Sequence, residues 1–347
     1  MDLRSRIPRT VQPGNLTDKM KNSAIILTAL FVVLSCGGRK ASVATEQATA
    51  TPVPEFNADS AFNYIRKQTD FGPHVPNTDA QQKCAAWLMT KLKEFGADTY
   101  LQGFETVTFD KTRIRGYNII GSYNPECSSR VILCSHWDSR PWADNDPDPA
   151  NHKKPVDAAN DGASGVGVIL EIARQMQKQA PEIGVDCIFL DAEDWGPGDD
   201  YQGMHLETYW GLGTQYWARN PHKEGYKARY AILLDMVGGK GAAFCREMYS
   251  LMYGKQVVDK VWGAAGRLGY GSLFLPVDGS YVTDDHYFIN TIARIPAIDI
   301  VPYLPNCKQS IFGPTWHTTQ DNIENIDKKV LEAVGKTLIE VIYNEKP

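Results

Sequence analysis

Three acids stand within four positions at the end of one apolar run: Cys187-Ile188-Phe189-Leu190 passes straight into Asp191-Ala192-Glu193-Asp194-Trp195. A short stretch of this kind reads as a buried strand of a parallel sheet. Ligands of open α/β sheets bind beyond the carboxyl ends of such strands, which places Glu193 and Asp194 at the mouth of a site. Successive residues leaving a strand point in different directions, so one acid can hold a metal while its neighbour moves protons. Taken alone, the stretch also fits a helix N-terminus, whose dipole favours acids.

Polar residues recur where other apolar runs end. His136 follows 131–135, Asp161 precedes Gly162 and a helical pattern, Asp235 closes 229–236, and His317 stands in 316–322. Histidine nitrogen and carboxylate oxygen are zinc ligands, and a catalytic zinc keeps one position open. Each residue has a plainer alternative: a hydrogen-bonded loop histidine, a helix cap for Asp161, a turn acceptor for Asp235. Several such coincidences on successive strand ends argue jointly for a metal centre. Competing motifs fail. Gly162-Ala163-Ser164-Gly165-Val166 lacks the last glycine of a nucleophile elbow, and Gly165-Val166-Gly167 lacks the third glycine of a dinucleotide loop.

The elements that must position these residues alternate between strand and helix. Runs 104–109, 117–123, 131–135, 229–236 and 297–301 read as strands beside the acidic one. Periodic apolar faces mark helices over 79–95, 166–178, 257–268 and 327–343. Gly162 and Gly165 permit a tight helix entry. This alternation predicts an α/β protein, a three-layer α/β/α sandwich around a central mixed, mostly parallel sheet. Long polar loops at 142–156 and 195–209 belong at the entrance.

The chain has 347 residues, 43% of them hydrophobic, and a net charge of -5. That supports a sizeable core, and no basic stripe marks a nucleic-acid partner. Residues 1–36 read as an upstream extension (1–19) and a signal segment. The run Val33-Leu34-Ser35-Cys36 resembles a lipobox, which implies export and a lipid anchor at Cys36. A tether over 37–55, rich in Ala, Thr and Pro, then leads to one catalytic domain over 56–347. The expected location is the envelope of a Gram-negative-type bacterium, facing the periplasm, as a monomer. Export permits disulfides among the other six cysteines, but Cys134 and Cys187 lie in apolar strands and fit buried thiols equally well.

His136-Trp137-Asp138-Ser139, Asn160-Asp161-Gly162-Ala163-Ser164-Gly165, Asp191-Ala192-Glu193-Asp194 and Leu234-Asp235 occur in that order, and this series resembles the zinc aminopeptidase superfamily. Thr283-Asp284-Asp285-His286 and the stretch from Trp316-His317 to Asp327 resemble, more narrowly, its zinc-dependent, animal-type glutaminyl cyclases, which bacteria also contain. The resemblance implies one zinc per chain held by Asp161, Asp194 and His317. It implies peptides with N-terminal glutamine, and slowly glutamate, as substrates cyclised to pyroglutamate. Glu193 would move the proton, with Asp284 and Asp235 as further catalytic groups. Trp316, a loop tryptophan such as Trp195, and His136 would form the substrate site. Where this family's metal-binding glutamate stands, the chain has Asp194. His136 and Asp235 are also second-zinc positions of the related peptidases, so a zinc aminopeptidase stays open as the alternative.

Overall fold

The structure, a computed structural model, describes residues 53–198, 201–203 and 206–347. The expected signal segment, Cys36 and most of the expected tether lie outside these residues. The described residues from 53 to 347 make one compact unit.

In chain order the elements are α1 (Ala58–Thr69), α2 (Asp79–Glu94), β1 (Asp98–Val107), β2 (Arg113–Tyr123), β3 (Arg130–His136), α3 (Ala163–Lys178), β4 (Gly184–Leu190), α4 (Leu212–Arg219), β5 (Ala231–Leu234), β6 (Phe244–Arg246), α5 (Met248–Arg267), β7 (Phe274–Asp278), α6 (Asp285–Phe288), β8 (Ala297–Ile300) and α7 (Lys328–Tyr343). Side-chain caps start several helices. Asn57 Oδ1 accepts the Ser60 amide at 2.8 Å, and Thr78 Oγ1 accepts that of Gln81 at 3.2 Å, filling donors that a helix start leaves open.

The main sheet has the order β1-β2-β4-β3-β5-β8. The β1–β2 and β2–β4 pairs are antiparallel; β4–β3, β3–β5 and β5–β8 are parallel. Both faces are covered, which is why its central strands are mostly apolar on both sides rather than alternating. Val131 and Leu133 of β3 pack with α1, α3, α5 and α7 on one face, while Ile132 and Cys134 meet Trp217 of α4 and Ile289 after α6 on the other. The result is the three-layer sandwich with a mixed, mostly parallel sheet.

The expected strand over 229–236 is shorter, because Met236 turns the backbone to φ 53° directly after Asp235. Strands β6 and β7 form a small separate parallel sheet that no alternation in the sequence announced. At Gly165 an added Cβ would stand 2.3 Å from the Leu234 carbonyl oxygen and 2.4 Å from Ser135 Oγ, so only glycine lets α3 start this close to β3 and β5. The six cysteines among the described residues are all free thiols. No helix among the described residues is long and apolar enough to cross a membrane.

Candidate active site

The four parallel strands deliver the polar residues to one edge. His136 ends β3, Asp191 to Asp194 follow β4, and Asp235 follows β5. Asp161 arrives on the loop into α3. It does not cap that helix: Gly162 occupies the cap with φ 99° and no side-chain bond. Instead, both oxygens of Asp321 accept backbone amides, of Asn160 at 2.8 Å and of Asp161 at 3.0 Å, leaving the Asp161 carboxylate free to face the site.

Two donor groups result, and they share Asp161. His136 Nε2 lies 3.1 Å from Asp161 Oδ1 and 3.2 Å from Asp235 Oδ1. His317 Nε2 lies 3.1 Å from Asp194 Oδ1 and 3.7 Å from Asp161 Oδ2. Within each group the ligand atoms lie within 4.8 Å of one another. Asp161 Oδ2 and Asp194 Oδ2 are buried without a hydrogen-bond partner. Converging carboxylates with orphaned oxygens beside an imidazole fit a cation. Burial and the charge of Asp194 push the Asp161 carboxyl up to about 6. Burial also raises Asp194, but His317 and Arg140 outweigh it and hold that carboxyl below its ordinary range.

Backbone strain marks the same place. Ala192, Met236 and His317 have φ of 55°, 53° and 55°. Each non-glycine residue in this region costs on the order of 1–3 kcal/mol and persists only where its surroundings enforce it. Here each strained residue precedes, follows or is a donor of the site. The turn at Ala192 aims Glu193 and Asp194 apart, and Asp138 locks it by accepting both of their amides, at 3.0 and 3.1 Å.

A cleft of about 300 Å³ opens over this edge. Its floor holds Asp161, Glu193, Asp194, Asp235, Asp284 and His317; Trp210, Trp316, Tyr281 and Phe312 form walls. Glu193 is only 7% exposed. Burial, then the charge of Asp284, raises its carboxyl well above the ordinary range. Burial and the charge of Asp235 push Asp284 up to about 7.

Two residues expected at the substrate site lie outside this lining. Trp195 does not wall the cleft; it is buried beside Leu212, with its ring T-shaped to Trp142 at 6.0 Å. Trp210 takes the wall instead, because the long loop folds back: the Gly211 amide bonds to the Glu193 carbonyl at 3.2 Å and that of Leu212 to Ala192 at 3.1 Å. Spacing along the chain carries no sign of that return. His136 is likewise not among the cleft lining. It is 1% exposed and packed beneath, between Asp138, Asp161 and Asp235. Burial lowers its proton affinity, but these three carboxylates outweigh that and raise it well above the ordinary range.

Residues that sequence reasoning did not assign complete the support. Arg140, 1% exposed, donates from Nη1 to Asp194 Oδ1 at 3.0 Å and from Nε and Nη2 to the two oxygens of Asp144 at 2.8 and 2.6 Å. Asp144 Oδ1 in turn lies 3.5 Å from His317 Nδ1. A carboxylate behind a ligand histidine fixes its orientation and raises its basicity. The only cue to Arg140 was a cation two positions after Asp138 in an acidic loop.

Residues 118–342 match Peptidase family M28. The chain belongs to this family. A solved structure of Bacteroides thetaiotaomicron glutaminyl cyclase bound to N-acetylhistamine is 53% identical, covers 85% of this chain and 100% of that one, and superposes with a TM-score of 0.82. A structure described as a leucine aminopeptidase precursor from the same organism is 52% identical, covering 85% and 99% with a TM-score of 0.82. Among curated relatives, the glutaminyl-peptide cyclotransferase of Gloydius blomhoffii is 26% identical over 267 residues, 67% of this chain and 68% of its own length. The chain is thus similar over nearly all its described residues to bacterial glutaminyl cyclases of the zinc aminopeptidase-like superfamily.

Proposed function

We propose that this chain is a zinc-dependent glutaminyl-peptide cyclotransferase acting on peptides and proteins with N-terminal glutamine. Glu193 carries the reading: a buried carboxyl of raised proton affinity lining a cleft of about 300 Å³. Such a group can take a proton near neutral pH and return it. The cleft admits the terminal residue, and Trp210 and Trp316 exclude water from it. The peptide's α-amine forms a bond to the γ-carbonyl carbon of its own side chain, so no protein nucleophile is needed. Glu193 accepts the proton that the amine loses and passes it to the departing nitrogen, which leaves as ammonia. Asp284 and Asp235 orient the amine and leaving group. A zinc ion held by Asp161, Asp194 and His317 would supply Lewis-acid polarisation of that carbonyl.

The test is a peptide beginning with glutamine, incubated with residues 40–347 and weighed. Loss of one ammonia without shortening supports the reading, and Glu193→Gln should slow it by orders of magnitude. The second donor group, His136–Asp161–Asp235, favours an aminopeptidase as the other reading. Removal of the whole first residue, with two metals per chain, would establish that reaction instead. The lipobox ending at Cys36 supports a membrane-anchored, periplasm-facing lipoprotein. Incorporation of labelled fatty acid into the full chain, lost in Cys36→Ala, tests it.

A further inference from the structure

A line of tyrosines leads out of the cleft. Tyr281 forms part of its wall and is 53% exposed. The Tyr281 ring meets that of Tyr249 at 4.8 Å, T-shaped, and Tyr249 meets Tyr287 at 4.7 Å and Tyr253 at 6.4 Å. Tyr249 and Tyr253 stand at the start of α5, and Tyr287 on α6. The opening of α5 is inverted for a helix that packs on a core. Within Tyr249-Ser250-Leu251-Met252-Tyr253 the serine is the buried member, while Met252 and Tyr253 are 58% and 40% exposed. A packed helix ordinarily buries its apolar residues and shows its polar ones. The remainder of α5 does so, through Val257, Val258, Val261, Ala264 and Ala265.

Gly254 separates the two parts of α5. Its φ of -131° and ψ of 28° interrupt the helix, and an added Cβ would stand 2.7 Å from Ile298 Cγ2. The segment that carries Tyr281 is tied to the same opening turn. Glu247 Oε1 accepts the Tyr249 amide at 2.8 Å and the Val282 amide at 3.0 Å, and the Met248 amide donates to the Ser280 carbonyl at 3.1 Å. The rings therefore stand on one frame that is set before any ligand arrives, which lowers the ordering cost of binding. Exposed apolar side chains gathered beside a polar site mark a binding surface, and tyrosine offers broad, rigid contact with few torsions to freeze.

We infer that Tyr281, Tyr249 and Tyr253, with Met252, bind the residues that follow the N-terminal glutamine and select aromatic or aliphatic side chains there. The inference rests on the functional reading above and names the substrate class of that site more narrowly. The ridge begins in the cleft wall, so a peptide whose first residue fills the cleft meets Tyr281 as it leaves. From Tyr281 the ring centres step by 4.8 and then 6.4 Å, a path that about three residues of extended chain cover at roughly 3.3 Å each. Neither a second copy of the chain nor a lipid surface calls for a ridge that starts inside the cleft.

The test compares two peptides on zinc-loaded residues 40–347, one with Phe-Leu-Phe after the glutamine and one with Gly-Ser-Gly. The wild type should favour the first by about tenfold in kcat/KM, chiefly through KM, the weight of one or two aromatic contacts. In Tyr249→Ala, and in the pair Met252→Ala with Tyr253→Ala, that ratio should fall toward one. Tyr249→Phe keeps the ring and should keep the ratio. Should Tyr249→Ala fail to fold, the exposed pair carries the test alone. In a Glu193→Gln background, calorimetry should return the same preference in Kd. A wild type that cyclises neither peptide therefore fails the functional reading, while the Kd ratio still decides the ridge. A wild-type ratio near one, or a ratio untouched in the variants, would overturn the proposal. So would a wild-type dimer in sedimentation, or flotation with phosphatidylcholine vesicles, that Tyr253→Ala abolishes while peptide preference stays; either would give the ridge to another occupant.

Discussion

Asp138 holds Glu193 by its backbone: Oδ1 accepts the Glu193 amide at 3.0 Å, and the other oxygen accepts Asp194 at 3.1 Å. The proton-moving group and a donor of the metal site are thus fixed by one fully buried carboxylate. Asp138→Asn would set an NH2 group against one of those N–H groups. The expected outcome is a loss of about 1–3 kcal/mol in chemical unfolding, with kcat falling more than KM rises.

Glu193 makes the sharper chemical prediction. Glu193→Gln keeps the shape of the side chain and removes its basicity. Turnover should fall by about 10²- to 10⁴-fold, while metal content and thermal midpoint stay those of the parent. A variant that lost metal as well would show Glu193 to be a ligand instead.

Arg140 neutralises Asp194 and Asp144 from a site with almost no solvent access. Arg140→Met leaves two carboxylates without their cation. Losing one partner of a buried pair costs about 3–5 kcal/mol, and calorimetry should show it. Arg140→Lys keeps the charge but not the fork that grips Asp144, so it should recover stability better than activity.

The walls of the cleft can be told apart kinetically. Trp210→Ala should raise KM for glutamine peptides by about tenfold, the loss of roughly 1.4 kcal/mol of contact. Trp195→Phe, in the buried cluster with Leu212 and Trp142, should leave KM within about twofold. The opposite ranking would place Trp195 on the substrate.

Far from the cleft, Arg130 donates to both oxygens of Asp186, from Nε at 2.6 Å and Nη2 at 2.7 Å, with Ser122 and Tyr226 completing the set. Burial raises the Asp186 carboxyl, but the hydrogen bonds and charge of Arg130 outweigh it and hold the group below its ordinary range. A carboxyl depressed in the folded state adds stability above its unfolded pKa of about 3.9 and loses it as pH falls through the folded value. The contribution of the Arg130–Asp186 pair to the urea midpoint should therefore fall away below about pH 4. Arg130→Met should cost about 3–5 kcal/mol at pH 7 and less as the pH falls toward 4, where the stranded Asp186 takes up a proton.

Much of this architecture was legible from side-chain pattern alone. Each central strand is buried on both faces, so β4 runs apolar from Cys187 to Leu190, and the acids Asp191, Glu193 and Asp194 follow at once where the strand ends. Asp191 serves the fold, accepting from Gln81 and from the Tyr117 and Ala192 amides, while Glu193 and Asp194 are left to the site. Helices α2 and α7 declare themselves by period because each buries one apolar face, α2 against β1 and β2 and α7 against α1, α3 and α5.

What the chain alone determined was which residues stand at strand ends, since that depends on neighbours in sequence. What only the tertiary structure decided was which of them touch. Trp210 replaces Trp195 because a loop returns to Glu193. Arg140 reaches Asp194 across 54 positions. Asp299 lies hidden among Ala297, Ile298 and Ile300 in β8, and only the fold brings it beside Asp284 and His286. Backbone turns at Ala192, Met236 and His317 set these contacts, and the energy that holds such strained turns comes from packing across the whole fold. No local pattern encodes it.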